Sequence, residues 1–279
     1  MRRTTGTDAT QPGKRARDER TLPASSQAPL RLAVAGKGGS GKSVVAGTLA
    51  RTLARQGHRV LALDSDLMPG LALSLGVAEP DLPALLGAAE RTEGGRWRLR
   101  SGIGPVRAVQ RFAIAAPDGV RLLQSGKITA EGLAPIMGAV NAYYATIHRI
   151  RRSRFFDSWT MIADLPAGPR QTAFDWAPFA DMYLLVVEPT WKSALAARRI
   201  ARIARARGAA VHVVANKVSR AADERWVSRA LDQDVIAAIP WDERVRAAEL
   251  HGHAPIDAAA SSRGVRAIEE LAHRLELEV

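Results

Sequence analysis

The sequence feature that most constrains this chain is the glycine-rich segment GKGGSGKS at residues 36–43, which fits the pattern G-x-x-x-x-G-K-[ST]. A short apolar strand is predicted before it, at residues 32–35, and a helix is predicted after it, at residues 43–56. Glycines let successive backbone N–H groups converge on phosphate oxygens, and the start of a helix favours negative charge. The pattern therefore predicts a phosphate-binding loop between a strand and a helix.

Within this loop, the polar groups have expected partners. Lys42 is expected to bind the β- and γ-phosphates of a nucleotide, and Ser43 is expected to bind Mg²⁺. A chance glycine-rich turn is the alternative, but it would not need the strand, the helix and the Lys-Ser pair in register. The nucleotide-binding residues predicted from the loop and the first helical turn are Gly38, Gly39, Ser40, Gly41, Lys42, Ser43 and Val44.

Apolar strands alternate with helical patterns along most of the remaining chain. This alternation predicts an α/β fold, with a mostly parallel twisted sheet covered by helices on both faces. Residues 90–126 break the rhythm, because glycines and a proline punctuate short alternating stretches there; they suggest a hairpin and a return to the sheet at 120–124. The other predicted strands are residues 60–63, 161–163, 183–187, 211–215 and 235–239.

The composition divides the chain into two parts. Residues 1–28 are rich in Thr, Ser, Pro, Gly and charge and lack apolar periodicity, which predicts a disordered basic tail. Residues 29–279 are predicted to be a single domain built around the phosphate loop, because neither a second core nor an internal repeat is visible.

The charge balance is basic, with 40 Lys and Arg against 28 Asp and Glu and a net charge of +12. Such a balance suggests a polyanionic partner, DNA, RNA or an anionic membrane surface, or else solvated charge from an arginine-rich composition. Cysteine is absent, which excludes disulfides and thiolate metal sites. No apolar run approaches the ~20 residues that cross a bilayer. We therefore expect a cytoplasmic protein without a transmembrane segment.

Lys37, early in the glycine turn, gives the loop the form K-G-G-x-G-K-[ST]. This form resembles the deviant Walker A family of P-loop ATPases, which includes the MinD and ParA positioning ATPases and the CooC-like ATPases. The resemblance runs from about Leu30 to about Ala272. It implies hydrolysis of Mg-ATP by a homodimer that sandwiches ATP between two subunits. In that family the early lysine reaches the partner's nucleotide, which assigns this catalytic role to Lys37, alongside Lys42.

A D-x-D element follows the second predicted strand, as Asp64-Ser65-Asp66. It resembles the family's switch I, and the resemblance makes Asp66 the catalytic aspartate that orients the attacking water. Asp64 is then a supporting group near Mg²⁺. The family form D-x-D-P-x-x-N-L is altered here, because Leu67 and Gly70 replace its Pro and Asn. An exposed Asp pair at a strand end is the structural alternative.

The segment MIADLPAG at residues 161–168 looks like the family's Walker B and switch II. The apolar strand delivers Asp164 beside the metal, through a bound water. The turn at residues 166–168 then offers a backbone that responds to the γ-phosphate. The implied metal-site residues are thus Ser43, Asp64 and Asp164.

Two further strand ends are candidates for the nucleotide base. Asn216 carries an amide that can both donate to and accept from an adenine edge. The loop containing Pro240 and Asp242 is expected, by resemblance, to pack on the base through backbone contacts. A capping Asn and a proline turn would give the same sequence, so the structural reading stays open at both places.

Within the family, residues 117–128 and the Val187-Glu188-Pro189 segment most resemble the CooC-like ATPases. Those proteins bind nickel between two subunits through a Cys-x-Cys, and the corresponding residues here, 131–135, read EGLAP. Because thiols are absent, no nickel site is expected. His251 and His253 form an H-x-H that supplies at most two ligands of a replacement site.

Two arginine clusters favour a ParA-like alternative, in which the dimer binds DNA without reading its sequence. The first cluster is Arg198, Arg202 and Arg205, which are spaced i, i+4, i+7 and are therefore expected on one helix face. The second cluster is Arg149, Arg151, Arg152 and Arg154. The alternative to DNA binding is that this charge belongs to a solvated helix face.

The end of the chain, residues 268–279, is short and acidic, which disfavours MinD-like membrane binding and predicts a core-packing last helix. The sequence as a whole therefore favours an ATP-hydrolysing dimeric switch that acts on an unidentified protein partner or cargo. The alternatives are a DNA-binding positioning ATPase, and a regulatory adaptor that binds nucleotide with little turnover.

Overall fold

The computed structural model describes residues 28–67, 70–78, 84–126 and 134–278. Nearly all of the predicted basic tail lies outside these residues. So do residues 131–133, the first part of the segment that stands where the CooC-like proteins carry their cysteines.

Ten strands and ten α-helices are found within the described residues. The strands are β1 Arg31–Gly36, β2 Arg59–Asp64, β3 Ala89–Arg91, β4 Trp97–Leu99, β5 Ile114–Ala115, β6 Arg121–Gln124, β7 Trp159–Asp164, β8 Met182–Val187, β9 Ala210–Val218 and β10 Val235–Pro240. The helices are α1 Lys42–Arg55, α2 Leu71–Leu75, α3 Pro105–Phe112, α4 Ala134–Ile150, α5 Arg170–Ala173, α6 Trp191–Ala206, α7 Ala221–Leu231, α8 Glu243–Leu250, α9 Pro255–Ala258 and α10 Arg263–Glu276. Short 3-10 turns occupy Ala84–Ala88, Pro117–Gly119 and Arg154–Phe156.

The main sheet has the order β10-β9-β8-β1-β7-β2-β6-β5 among the described residues. Its pairs are parallel, except that the two-residue strand β5 runs antiparallel to β6. Each strand predicted from an apolar run is present, with bounds that differ by a few residues. Parallel strands sit beneath helices on both faces, which is why β7 and β8 are apolar without alternation and buried along their whole length.

Two apolar layers cover the sheet. On one face, β-strand side chains pack with α4, α6 and α7, and Tyr143 and Phe156 are fully buried there. On the other face, α1 and α10 pack side by side, through residues such as Leu49 and Leu271. The buried stripe of α10, which continues to Leu275, confirms the predicted core-packing last helix. In the part of the chain that the structure describes, no helix is long and apolar enough to cross a membrane.

The segment that breaks the strand–helix rhythm contains the suggested hairpin. Strands β3 and β4 pair antiparallel, with Ala89 opposite Leu99 and Arg91 opposite Trp97. The hairpin packs on α4 rather than joining the main sheet. Strand β6 then returns the chain to the sheet beside β2, as predicted.

The sheet order places the site. Because the strands from β10 to β6 are parallel, their carboxyl ends meet at one edge of the sheet, where open α/β sheets bind ligands. The phosphate loop follows β1, at the centre of that edge. The loops after β2, β7, β8, β9 and β10 therefore converge on it.

Candidate functional site

The loop between β1 and α1 has a backbone that requires glycine at several positions. Gly39 and Gly41 have φ values of +77° and +91°, in the left-handed region. A Cβ on Gly36 would lie 2.5 Å from the carbonyl oxygen of Val186, so a larger residue does not fit there. The Ser40 N–H donates to the Lys37 carbonyl at 3.2 Å and closes the turn. The loop has the compact form that a phosphate cradle needs.

Lys42 begins helix α1, and its side chain folds back over the loop. Its ammonium donates to the Lys37 carbonyl at 3.3 Å. Its charge also acts on Asp164, whose pKa it lowers against the larger effect of burial. Lys42 thus lies between the glycine turn and the acidic end of β7, where a β- or γ-phosphate would meet it.

The predicted metal-site residues lie together. The Ser43 hydroxyl donates to the Asp164 carboxylate at 2.5 Å, and Asp64 and Asp164 are register partners on the neighbouring strands β2 and β7. Asp64 accepts from the backbone N–H groups of Asp66 at 3.1 Å and Leu71 at 3.3 Å. Both carboxylates are almost completely buried.

The electrostatics of this cluster favour a cation. Burial raises the pKa of Asp164 to about 6, and burial together with the charge of Asp164 raises the pKa of Asp64 well above its ordinary value. The second carboxylate oxygen of Asp164 is buried and accepts no hydrogen bond from the described protein atoms. A hydroxyl and two carboxylates form an all-oxygen donor set, which suits Mg²⁺, and a divalent cation favours their ionised form.

Asp66 lies two residues beyond the end of β2 and is partly exposed. Its carbonyl accepts from the Ser125 hydroxyl at 3.2 Å, and its N–H donates to Asp64, so its backbone is tied to the strand ends. Burial is the main cause of the raised pKa of Asp164, and the negative charge of Asp66 adds to it. Residues 68 and 69 of the predicted switch I lie outside the described residues.

Lys37 lies at the rim of the loop, where its side chain is 37% exposed. Its ammonium is 3.4 Å from Glu188, which follows the end of β8. The other oxygen of the same carboxylate is 2.9 Å from the ammonium of Lys217, which also donates to the Gly39 carbonyl. Neither Glu188 nor Lys217 has a role predicted from the sequence. The signal that could have found them is their position, because both stand at carboxyl ends of strands, as Asp64 and Asp164 do.

Asn216 braces the loop from β9. Its amide nitrogen donates to the Ser40 carbonyl at 2.7 Å, and a Cβ on Gly41 would lie 2.3 Å from that nitrogen. The close approach accounts for glycine at position 41 independently of phosphate binding. The amide nitrogen is therefore already engaged, while the residue still borders the cavity described next.

A cavity of about 230 Å³ adjoins the loop, between β9, β10, α8 and α10. Val44, Ile239 and Ile268 supply apolar walls, and a mostly apolar lining with a few polar groups is typical of a base-binding site. The structure brings the predicted residues Asn216, Pro240 and Asp242 to this one cavity.

The Asp242 side chain has a structural task. It accepts from the N–H groups of Arg244 and Gly264, each at 2.9 Å, so it caps α8 and ties the start of α10 to it. The capping alternative thus applies to this carboxylate, and a contact of this loop with a base would come from its backbone or from neighbouring residues.

The two histidines do not converge on a site. His251 and His253 are exposed, and their ring centroids are 6.4 Å apart. Among the described residues, no group of three or more His, Asp or Glu side chains could hold a metal ion together.

The arginines at positions 198, 202 and 205 are exposed on α6 and line a groove of about 360 Å³ beside α7. Arg198 donates to the Ala230 carbonyl at 2.7 Å, and Arg205 donates to Gln233 at 2.5 Å. Arg198 therefore fastens α6 to α7, and Arg205 fastens α6 to the segment that follows α7, while both also carry charge. The other cluster, Arg149, Arg151, Arg152 and Arg154, is exposed at and just after the end of α4.

Comparison with known proteins agrees with this geometry. Residues 32–256 match the CobQ/CobB/MinD/ParA nucleotide binding domain. The carbon monoxide dehydrogenase accessory protein CooC of Rhodospirillum rubrum is 29% identical over 248 residues, covering 84% of this chain and 92% of CooC.

Two solved structures have the same fold. The cell division ATPase MinD of Pyrococcus furiosus has a TM-score of 0.68 at 22% identity, covering 89% of this chain and 99% of that one. The septum site-determining protein MinD of Pyrococcus horikoshii, in complex with Mg-ADP, has a TM-score of 0.68 at 21% identity, covering 88% and 94%. These matches confirm the predicted α/β architecture and the resemblance inferred from the loop.

Proposed function

This chain belongs to the CobQ/CobB/MinD/ParA nucleotide-binding family, and we propose that it is an ATP-dependent dimeric switch of the CooC and MinD type. The observation that carries the proposal is the convergence at one sheet edge of Lys42, the Ser43–Asp164 pair and the base-sized cavity, with Lys37 on the rim. Its proposed location is the cytoplasm, where ATP and Mg²⁺ are available, and its client is a protein partner or cargo.

In the proposed binding step, each subunit binds one Mg-ATP. Lys42 and the backbone N–H groups of the loop hold the phosphates, while the base enters the cavity beside Val44 and Asn216. Ser43 and the two buried aspartates, Asp64 and Asp164, would hold Mg²⁺. Bound there, Mg²⁺ would neutralise phosphate charge.

In the proposed hydrolysis step, Asp66 orients the water that attacks the γ-phosphate. The backbone of Asp66 is fixed by Ser125 and Asp64, so its carboxylate is presented from a tethered point rather than a free loop. Positioning of this kind is the main protein contribution to phosphoryl transfer.

The proposed dimer explains the position of Lys37. Its ammonium bonds to Gly38 and Glu188 at the rim of the loop, whereas Lys42 folds over the loop itself. A second cation at the rim suits a phosphate that approaches from outside, on the nucleotide of a facing subunit. Lys37 then acts in trans, as an arginine finger does.

The proposal predicts that the purified protein is monomeric with ADP and becomes dimeric with ATP and Mg²⁺. Hydrolysis limits the lifetime of the dimer, so a slowly hydrolysed ATP analogue is the most suitable ligand for measuring the mass of the ATP-bound state. Size exclusion with light scattering measures the mass of each state. A monomer at saturating ATP analogue, at protein concentrations of several tens of micromolar, would contradict the switch.

Two alternatives give different results in the same preparations. A DNA-binding positioning ATPase would be retained on nonspecific DNA with ATP and released steeply by salt, and Arg202→Glu would reduce that retention. A regulatory adaptor would bind ATP but show no multiple-turnover phosphate release. The switch as proposed shows turnover without salt-sensitive DNA retention.

Nickel binding gives a further prediction. Although CooC is a relative, we expect no tight Ni²⁺ site, because the chain has no cysteine and the exposed pair His251 and His253 supplies at most two ligands. Equilibrium dialysis against Ni²⁺ with and without ATP measures this. A submicromolar site at one metal per dimer would overturn the expectation, and loss of that site in the His251→Ala, His253→Ala double variant would locate it.

A further inference from the structure

Glu188 forms a three-residue ion cluster above the phosphate loop. One carboxylate oxygen is 3.4 Å from the Lys37 ammonium, and the other is 2.9 Å from the Lys217 ammonium. The Glu188 side chain is only 17% exposed, whereas the side chains of Lys37 and Lys217 are 37% and 34% exposed. One largely buried carboxylate is thus shared by two lysines.

The backbone of Glu188 is held in place. The Glu188 N–H donates to the Ser193 hydroxyl at 3.0 Å, and its carbonyl accepts from the Thr190 N–H at 2.7 Å. Thr190 in turn caps helix α6. These bonds hold the Glu188 backbone at the corner between β8 and α6, so its carboxylate extends from a fixed point toward the two lysines.

Lys217 is the second anchored member. Its backbone lies in the left-handed region at a φ of +59°, which is uncommon for a residue with a side chain, and its ammonium donates to the Gly39 carbonyl. Lys217 contacts the other carboxylate oxygen of Glu188, so it does not share its acceptor atom with Lys37. A largely buried carboxylate without a partner is destabilising. Because Lys217 remains as a partner of Glu188, the Lys37–Glu188 pair can break without leaving the carboxylate unpaired.

We propose that Glu188 is a positioning residue for Lys37: it holds the Lys37 ammonium on its own subunit until two ATP-bound subunits meet, and Lys217 then carries the charge of Glu188 alone. This inference rests on the proposed function, since it supposes that Lys37 crosses to the partner's nucleotide. The pair opposes dimer formation, and its rupture is part of the cost of closing the dimer.

The main test is Glu188→Gln, which keeps the shape of the side chain and removes its charge. Two identical pairs break in each dimer, and a partly exposed ion pair of this kind changes an equilibrium by about two- to fivefold. We therefore expect the ATP-bound dimer to be about tenfold tighter. Dimer dissociation constants are measured by sedimentation in the Asp66→Ala background, in which ATP is expected to persist.

Glu188→Gln could also tighten the dimer without involving Lys37, because it removes negative charge beside the nucleotide phosphates. A double-mutant cycle separates this general electrostatic effect from release of Lys37. If Glu188 acts through Lys37, the gain from Glu188→Gln disappears in the Lys37→Ala background. A gain of equal size with and without Lys37 would overturn the inference. Lys217→Met supplies an independent variant: it is expected to weaken the dimer, and to do so less in the Glu188→Gln background.

A control comes from the opposite edge of the sheet. Asp157→Asn removes the exposed Arg31–Asp157 pair, at 3.8 Å, and is expected to leave the dimer unchanged. If the Asp66→Ala parent does not dimerise with ATP, the proposed function fails. If the parent dimerises but Glu188→Gln leaves the constant unchanged or weakens the dimer, the function stands and the role of Glu188 is overturned.

Discussion

Lys42→Ala is expected to abolish tight binding of Mg-ATP and Mg-ADP, weakening affinity by at least about 30-fold. The lysine folds back over the loop and donates to the Lys37 carbonyl. Burial raises the pKa of Asp164, and the charge of Lys42 acts against that effect, so the ammonium lies near the acidic end of β7. Truncating one partner of a desolvated, hydrogen-bonded charge pair costs about 2–5 kcal/mol, and about 1.4 kcal/mol is a tenfold change in affinity. Isothermal titration with ADP and Mg²⁺ measures binding without the complication of dimer formation.

The matched control for this variant is Lys192→Ala, on the exposed side of α6. It removes the same charge from the same protein and is expected to leave ADP affinity within about twofold of wild type. Thermal unfolding of both variants shows whether the fold is kept. Unchanged affinity in Lys42→Ala, with an unchanged fold, would mean that the loop at residues 36–43 does not bind phosphate.

The strands at the centre of the fold could be predicted from the sequence because of where they lie. A strand covered on both faces is a continuous apolar run, and β1, β2, β7 and β8 are of this kind. The carboxylates of β2 and β7 fall at the carboxyl ends of those strands. For the same reason, the sequence alone places Asp64 and Asp164 at the ends of two buried strands.

The contacts between the strand ends could not be predicted in this way. Glu188, Lys37 and Lys217 meet because β8 lies between β1 and β9 in the sheet, an order that the apolar runs do not specify. The Asn216 amide bonds to Ser40, 176 residues away in the chain, so its direction depends on the same order. The sequence suggested a contact of Asn216 with the base, whereas the structure gives its nitrogen a bond to the loop.

The hairpin segment could be predicted from the sequence only in part. Its glycines marked turns, and β3 and β4 pair as the pattern suggested. Local sequence did not indicate that the pair would pack on α4 instead of extending the sheet. A Cβ on Gly138 of α4 would lie 3.0 Å from the Trp97 ring, so this docking depends on one small residue in a distant helix.

The second large effect concerns Lys37 and Asp66, which are expected to act at different steps. Asp66→Ala should slow ATP hydrolysis by at least about 100-fold, since it removes the group that we propose to orient the attacking water. It also removes negative charge from the side of the γ-phosphate, so ATP binding is retained and the ATP-bound dimer is kept or lives longer. Phosphate release and light scattering during size exclusion give the rate and the mass of the same sample.

Lys37→Ala should slow hydrolysis by at least about 100-fold as well, because a cation supplied in trans stabilises transition-state charge. Its effect on dimer formation should be the opposite of that of Asp66→Ala, because it should weaken the ATP-bound dimer. Two facing nucleotides bring like charges together, and without Lys37 from each subunit that repulsion is less well neutralised. The two variants therefore share a defect in turnover and differ in assembly. The decisive comparison is Asp66→Ala with ATP against wild type with ADP. If the Asp66 variant stays monomeric at ATP concentrations well above its affinity, ATP does not join two subunits, and Lys37 is a surface lysine held by Glu188 rather than a group that acts across an interface.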